Sequence, residues 1–275
     1  MVFDLAYAKE YDPYGRGIAT VNVEMLTHVI AQPEQDATVP LRDVNRVLAN
    51  LPEGDLRRLS PNLRRVPLRR RQVLMRQGQR VQDIIFPVHG LCSVTKTTED
   101  GHSIEILSIG AEGIVNASVA WGLPDSLGDV VVQVPDDAAL SMSVEVFNQE
   151  LRQRGALSAL VEGYGRLFTE ELMQAGACNA LHTAEQRVCR WLLTTAARIH
   201  TDALPVTHEM LAMALGVRRP TVTLIMADLE RAGLVRYGRG NVRLIDRSAL
   251  VQRGCPCCST INPQYAAAAV RSVRL

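Results

Sequence analysis

Lysine is nearly missing from this chain of 275 residues: two stand against 28 arginines. A GC-rich genome produces that bias by itself, so the choice of cation carries little chemical meaning. No apolar run approaches the ~18 residues of a membrane-spanning helix. The first residues, MVFDLAYAKEYDPYGRG, have Asp4 inside the apolar stretch and no basic lead, which does not read as a signal peptide. Six cysteines are scattered apart from a cluster near the end, which speaks for reduced thiols and against a disulfide framework. A cytoplasmic location is the expectation. P-loop, GxSxG, HExxH and glycine-rich dinucleotide patterns are all missing, so an enzyme is not expected.

The charge is segregated. Residues 205–275 hold ten arginines and four acidic residues, a net of +6, whereas residues 1–204 have a net of −5. A basic C-terminal module beside an acidic one implies a polyanionic partner for the former.

Hydrophobic periodicity predicts an α+β chain in five parts. Residues 1–40 lack a sustained period and read as a loosely ordered extension. Within 41–148, two short helices divided by Pro52 and Gly54 lead into Val- and Ile-rich strands punctuated by Gly78, Gly90, Asp100-Gly101 and Gly110. Asp-Gly between alternating runs is a hairpin signal, and the strand spacing suits a small β-barrel or roll. Residues 149–182 carry a long helix with an apolar stripe of Leu157, Leu160, Val161, Tyr164, Leu167, Phe168 and Leu172. That stripe either covers the roll or forms a seam between two copies; its length and near-heptad spacing favour the seam, with Gly163 and Gly165 permitting close approach.

Residues 183–254 carry the densest pattern. Thr183 caps one predicted helix, Thr207 starts a second and Gly216 stops it. Pro220 then suits the first turn of a third, on which Val222, Ile225, Met226 and Leu229 face inward. Arg218, Arg219, Thr221, Thr223 and Leu224 are left outward near that helix's N-terminus. The segment LVRYGRGNVRLID follows as strand, glycine turn and strand, placing Arg236, Arg239 and Arg243 on a ribbon beside it. A helix, a glycine turn and a basic second helix are what reading of a DNA major groove requires. Outward arginines pair with guanine edges, and hydroxyls hold phosphates. A winged helix that serves protein contacts instead is the alternative.

At these residues the chain resembles the cyclic AMP receptor/fumarate-nitrate regulator (Crp/Fnr) family, over roughly residues 44–246. The resemblance implies a cyclic-nucleotide-binding-like β-roll, a long dimerisation helix, and a C-terminal winged helix that binds palindromic sites on double-stranded DNA as a homodimer. It also implies RNA polymerase as a partner. By the same resemblance Arg219 matches a base-reading arginine, and Thr207 and Thr221 match phosphate-contacting threonines. Pro220 stands where an acidic base-reader often stands, and Leu224 replaces a second arginine, so the operator is not carried over.

Ligand chemistry departs further. Cyclic-nucleotide binders of this family use a Gly-Glu-Leu turn and a later arginine; here Glu112 precedes Gly113, and no arginine occurs from 81 to 151. The corresponding effector-pocket residues are Glu112, Gly113, Asn116, Ser126 and Asp129, with cyclic AMP disfavoured because a buried phosphate needs a matched cation. Arg80 or Arg166 swinging in is the one rescue. The iron–sulfur type needs clustered N-terminal cysteines, whereas the first here is Cys92. In the tail 255–275, Cys255, Cys257 and Cys258 are weak candidates for a metal or redox site. The expectation is mobile reduced thiols and no cofactor, since no second ligand pair lies nearby in sequence.

Overall fold

The computed structural model describes residues 45–258 other than His102 and Arg239. The expected extension 1–40, the tail beyond Cys258 and the wing-tip Arg239 therefore lie outside the described residues.

The two expected short helices form, α1 (Arg46–Ala49) and α2 (Glu53–Leu59), separated at Pro52, whereas Gly54, expected in the break, lies in the first turn of α2. Asn45 caps α1 by accepting from Val47 N–H, and its amide donates to the carbonyls of Pro87 and Gly113, which ties the helix to the roll. Seven strands follow: β1 (Arg64–Arg65), β2 (Val73–Met75), β3 (Asp83–Phe86), β4 (Leu91–Thr97), β5 (Ser103–Ile109), β6 (Asp129–Val134) and β7 (Leu140–Ser143). They make two antiparallel sheets, ordered β1-β7-β3 and β2-β6-β4-β5. The predicted Asp100-Gly101 turn joins β4 to β5, with Gly101 at φ 83°. Alternation along the strands sends Ile84, Phe86, Leu140 and Met142 from one sheet, and Met75, Leu107, Val130 and Val132 from the other, into one apolar core.

The helical region is divided: α3 (Val144–Arg152) is capped by Ser143, and α4 (Ala156–Leu181) begins after a break at Gly155. Leu157, Leu160, Val161 and Tyr164 of α4 are buried in the core of the roll, with Leu167, Phe168 and Leu172 packed half-buried against it. This corrects the reading of Leu157, Leu160, Val161 and Tyr164 as a seam between copies, because their apolar surface is already removed from water within one chain; Leu167, Phe168 and Leu172 pack against the same roll and keep part of their surface open. Gly165 likewise makes room for the same chain's Trp121, whose ring a Cβ would meet at 2.9 Å.

The C-terminal module comprises α5 (Ala184–Arg198), β8 (Ala203–Leu204), α6 (His208–Leu215), α7 (Arg219–Arg231), β9 (Val235–Gly238), β10 (Asn241–Leu244) and α8 (Arg247–Arg253). Thr183 and Gln186 close a capping box on α5. The ribbon read from sequence has a third strand, since β8 pairs with β10 on the side away from β9. Val188, Leu192, Leu211, Val222, Met226, Leu229, Val242 and Leu250 form a second apolar core. No single described helix is long and apolar enough to cross a membrane.

Candidate nucleic-acid interface

The α6 and α7 axes turn by 114° about the three-residue connection 216–218. Gly216 makes this turn possible: its φ is 62°, and a Cβ there would stand 2.7 Å from Ile104 Cδ1 on β5. Both conditions favour glycine. On the inner face of α7, Val222, Met226 and Leu229 are fully buried. Pinned this way, α7 leaves Arg218, Arg219, Pro220, Thr221, Thr223 and Leu224 exposed along its first two turns. Leu224 keeps 70% of its surface in water, which its own fold does not require. No side chain caps the N-terminus of α7, and its first turn has no acidic residue, so the positive end of the helix dipole faces outward uncompensated.

Two threonines are engaged locally. Thr207 is half-buried and caps α6 by accepting from Met210 N–H at 3.2 Å. Thr223 donates to the Arg219 carbonyl at 3.1 Å and pairs with His208 Nδ1 at 3.1 Å. His208 in turn stacks on Tyr237 of the wing, 4.1 Å between ring centroids. Burial, with the Arg219 charge second, holds the His208 imidazole below its ordinary range.

On the wing, Val235, Val242 and Leu244 point inward while Arg236 and Arg243 point out. The register sets Arg236 directly opposite Arg243. Like charges across a strand pair oppose folding. The pair is therefore a local concentration of positive charge on the ribbon that an anion would relieve.

The expected effector-pocket residues are taken up by the fold itself. Glu112 is buried 2.9 Å from Arg198 Nε of α5. Asn116 sits in a left-handed turn and donates to the Asp83 carbonyl at 2.9 Å. Ser126 donates to the Gly128 carbonyl at 2.7 Å, and Asp129 accepts from Gln77 N–H and pairs with Arg76. A Cβ on Gly113 would meet the Tyr164 hydroxyl at 2.8 Å, so this glycine serves packing against α4. Arg80 faces outward beside Asp125, 3.6 Å away, and Arg166 is exposed on α4.

Sequence reasoning missed the junction between the two cores. Glu105 of β5 is buried and accepts from Ser93, Ser108, Gln133 and, at 2.9 Å, the indole N–H of Trp191 on α5. Arg198 joins Glu112 to Glu171 of α4. Burial works against the Arg198 charge, but the two carboxylates outweigh it and raise its pKa; burial raises that of Glu171.

The cysteine tail differs from expectation as well. Cys255 is 1% exposed and lies against Cys178 of α4, and Cys257 and Cys258 are half-buried, so these are not mobile thiols. Burial, then the Cys178 charge, pushes the Cys255 thiol up to about 11. A protonated thiol at neutral pH is a poor nucleophile, which disfavours Cys255 as a direct redox sensor.

Comparison with known proteins agrees with this architecture. Residues 186–253 match the family described as the Crp-like helix-turn-helix domain. Over 47 residues the chain is 43% identical to the transcriptional regulator SdrP of Thermus thermophilus, a match that spans 17% of this chain and 23% of that relative. Among solved structures, FixK2 of Bradyrhizobium japonicum superposes with a TM-score of 0.61 at 13% identity, covering 70% of this chain and 98% of that one. A CRP-family transcriptional regulator from Thermus thermophilus gives 0.58 at 18% identity, covering 68% and 95%. At these identities the likeness is one of fold: a β-roll joined through a long helix to a helix-turn-helix module.

Proposed function

We propose that this chain, a Crp/Fnr-type protein whose residues 186–253 belong to the Crp-like helix-turn-helix family, regulates transcription by binding specific double-stranded DNA with α7 in the major groove. The observation that carries the reading is the exposure of Arg218, Arg219 and Thr221 at the uncapped N-terminus of α7, followed by a ribbon that turns Arg236 and Arg243 outward. The α7 residues lie where base edges are read, and the wing arginines lie where the sugar–phosphate backbone passes. A DNA partner places the protein in the cytoplasm, and RNA polymerase is the second partner this function calls for.

The bound form is a homodimer on a pseudo-palindrome, with half-sites about one helical turn apart or a multiple of that. Support comes from the side of α4 that the roll leaves open: Thr169, Met173 and Ala177 follow one another at helical spacing, and Met173 is 72% exposed. They line an open groove of about 950 Å³ beside Trp121. A second copy of α4 is the occupant this face suits.

DNA binding does not depend on cyclic AMP. Asn116, Ser126 and Asp129 are already engaged within the chain, Glu112 is paired with Arg198, and residues 81–151 have no arginine to match a phosphate. A salt-titrated DNA-binding measurement with mixed-sequence duplexes, with and without cyclic AMP, tests the whole reading. Affinity should fall steeply and log-linearly with salt. Salt-independent binding to a protein partner, with no affinity for DNA, would favour the protein-contact alternative. Strong enhancement by cyclic AMP would overturn the effector reading.

A further inference from the structure

Cys178 lies in the last turn of α4, and His182 follows the helix directly as its C-cap in extended backbone, four positions on. Cys255 and Cys257 flank Pro256 at the short turn after α8. The fold lays that turn against the end of α4, although Cys178 and Cys255 are 77 positions apart in sequence. One ligand atom from each of the four residues then falls within 4.8 Å of all the others. The sulfurs of Cys178 and Cys255 are 4.0 Å apart. With zinc–sulfur bonds of ~2.3 Å, the edge of a tetrahedral site is about 3.8 Å.

A further observation points to a ligand. His182 Nδ1 is buried and has no hydrogen-bond partner among the described residues. A buried ring nitrogen in that state is costly unless something binds it.

We propose that Cys178, His182, Cys255 and Cys257 bind one Zn²⁺ as a tetrahedral Cys₃His site. Mixed sulfur and nitrogen donors at this spacing suit borderline-soft zinc in a closed, structural site. On loading, the three thiols give up their protons to solvent and the imidazole binds through its lone pair; no electron is transferred. The site spans the hinge at which α4 ends at Leu181, His182 follows as its C-cap and Thr183 caps α5. Zinc would therefore staple the last turn of the winged-helix module to the long helix and hold the angle between them. Cys258 stays outside the ligand set.

The test uses the full, untagged chain purified under reducing conditions, with metal content as its readout. It therefore stands or falls separately from the DNA-binding reading. Elemental analysis should find about one zinc per chain. Exchange with Co²⁺ should give the visible bands of a tetrahedral ion and thiolate charge transfer scaled to three sulfurs. Cys178→Ser and Cys255→Ser should each weaken zinc affinity by at least the roughly 10–100-fold that follows loss of even an outer-shell partner. Cys258→Ser and Cys92→Ser should bind as the unsubstituted chain does. The proposal is overturned by a chain that takes up no stoichiometric zinc from micromolar solution, by zinc retained unchanged in Cys178→Ser, or by preference for copper(I) when both metals are offered. It is equally overturned if Cys178 and Cys255 join in a disulfide under those reducing conditions. Should Cys178→Ser fail to fold, the Co²⁺ spectrum of the unsubstituted chain and the affinity of His182→Ala decide.

Discussion

Arg198 of α5 lies 2.9 Å from Glu112 in the turn after β5, and both side chains are more than nine-tenths buried. The same guanidinium reaches Glu171 of α4, so one cation joins the roll, the long helix and the winged-helix module. A buried charge that loses its partner is far more costly than one that never had to be buried. Arg198→Met should therefore lower stability by about 3–5 kcal/mol, read from urea denaturation. Adding Glu112→Gln and Glu171→Gln should recover much of that loss. An unchanged midpoint in the single variant would show that the network contributes nothing.

Reading and holding should separate on the DNA face. Arg219→Ala should cost about 1–3 kcal/mol of affinity and relax preference at one base pair per half-site. Arg243→Ala should weaken all sequences alike and reduce the slope of log affinity against log salt by about 0.9 for each phosphate it no longer neutralises. Binding-site selection and salt titration on both variants check this. Identical profiles and slopes would refute the division between helix and wing.

Gly216→Ala meets two obstacles, the left-handed backbone and the Ile104 side chain. The backbone alone should cost about 1–2 kcal/mol. Ile104→Val removes the Cδ1 atom in the way, so the double variant should recover the steric part and retain the backbone part. Thermal unfolding of the two, side by side, separates these contributions. Full recovery in the double variant would mean that the backbone conformation there is not strained for alanine.

The open side of α4 gives a test of assembly that does not disturb the core. Met173→Glu should shift the protein from dimer to monomer in sedimentation at micromolar concentration, with little change in unfolding midpoint. Leu160→Glu would be uninformative, because Leu160 packs within its own chain. A monomeric unsubstituted chain, or a dimer indifferent to Met173→Glu, would refute assembly through this face.

Burial and the neighbouring Arg219 hold His208 below its ordinary pKa of 6.5. The unfolded chain then takes up a proton at a higher pH than the folded one. The stabilising difference is complete above pH 6.5 and is lost as pH falls through that value towards the folded pKa. His208→Gln should therefore lose less stability than the unsubstituted chain between about pH 7 and about pH 5. His200, lowered first by burial and then by Arg46, contributes in the same direction and keeps the slope from vanishing. Parallel pH profiles of melting temperature would exclude a role for His208.

What the sequence by itself determined is local. The capping box at Thr183, the glycine at 216, the proline at 220 and the inward set of Val222, Met226 and Leu229 each act within a few residues, and the winged helix was readable from them. The Asp-Gly hairpin was readable for the same reason. Only the tertiary structure decided what covers each face. The stripe from Leu157 to Leu172 has one periodicity whether it meets a second helix or its own β-roll, and the roll takes it. Glu112 looked like part of a ligand turn until Arg198 came to rest against it, and β8, two residues long, exists only because β10 lies beside it. Cys178 and His182 stand at the end of a helix, and Cys255 and Cys257 at a turn far along the chain. Periodicity records which side of an element avoids water; which distant residue arrives there is set by how the elements pack, and local spacing does not encode it.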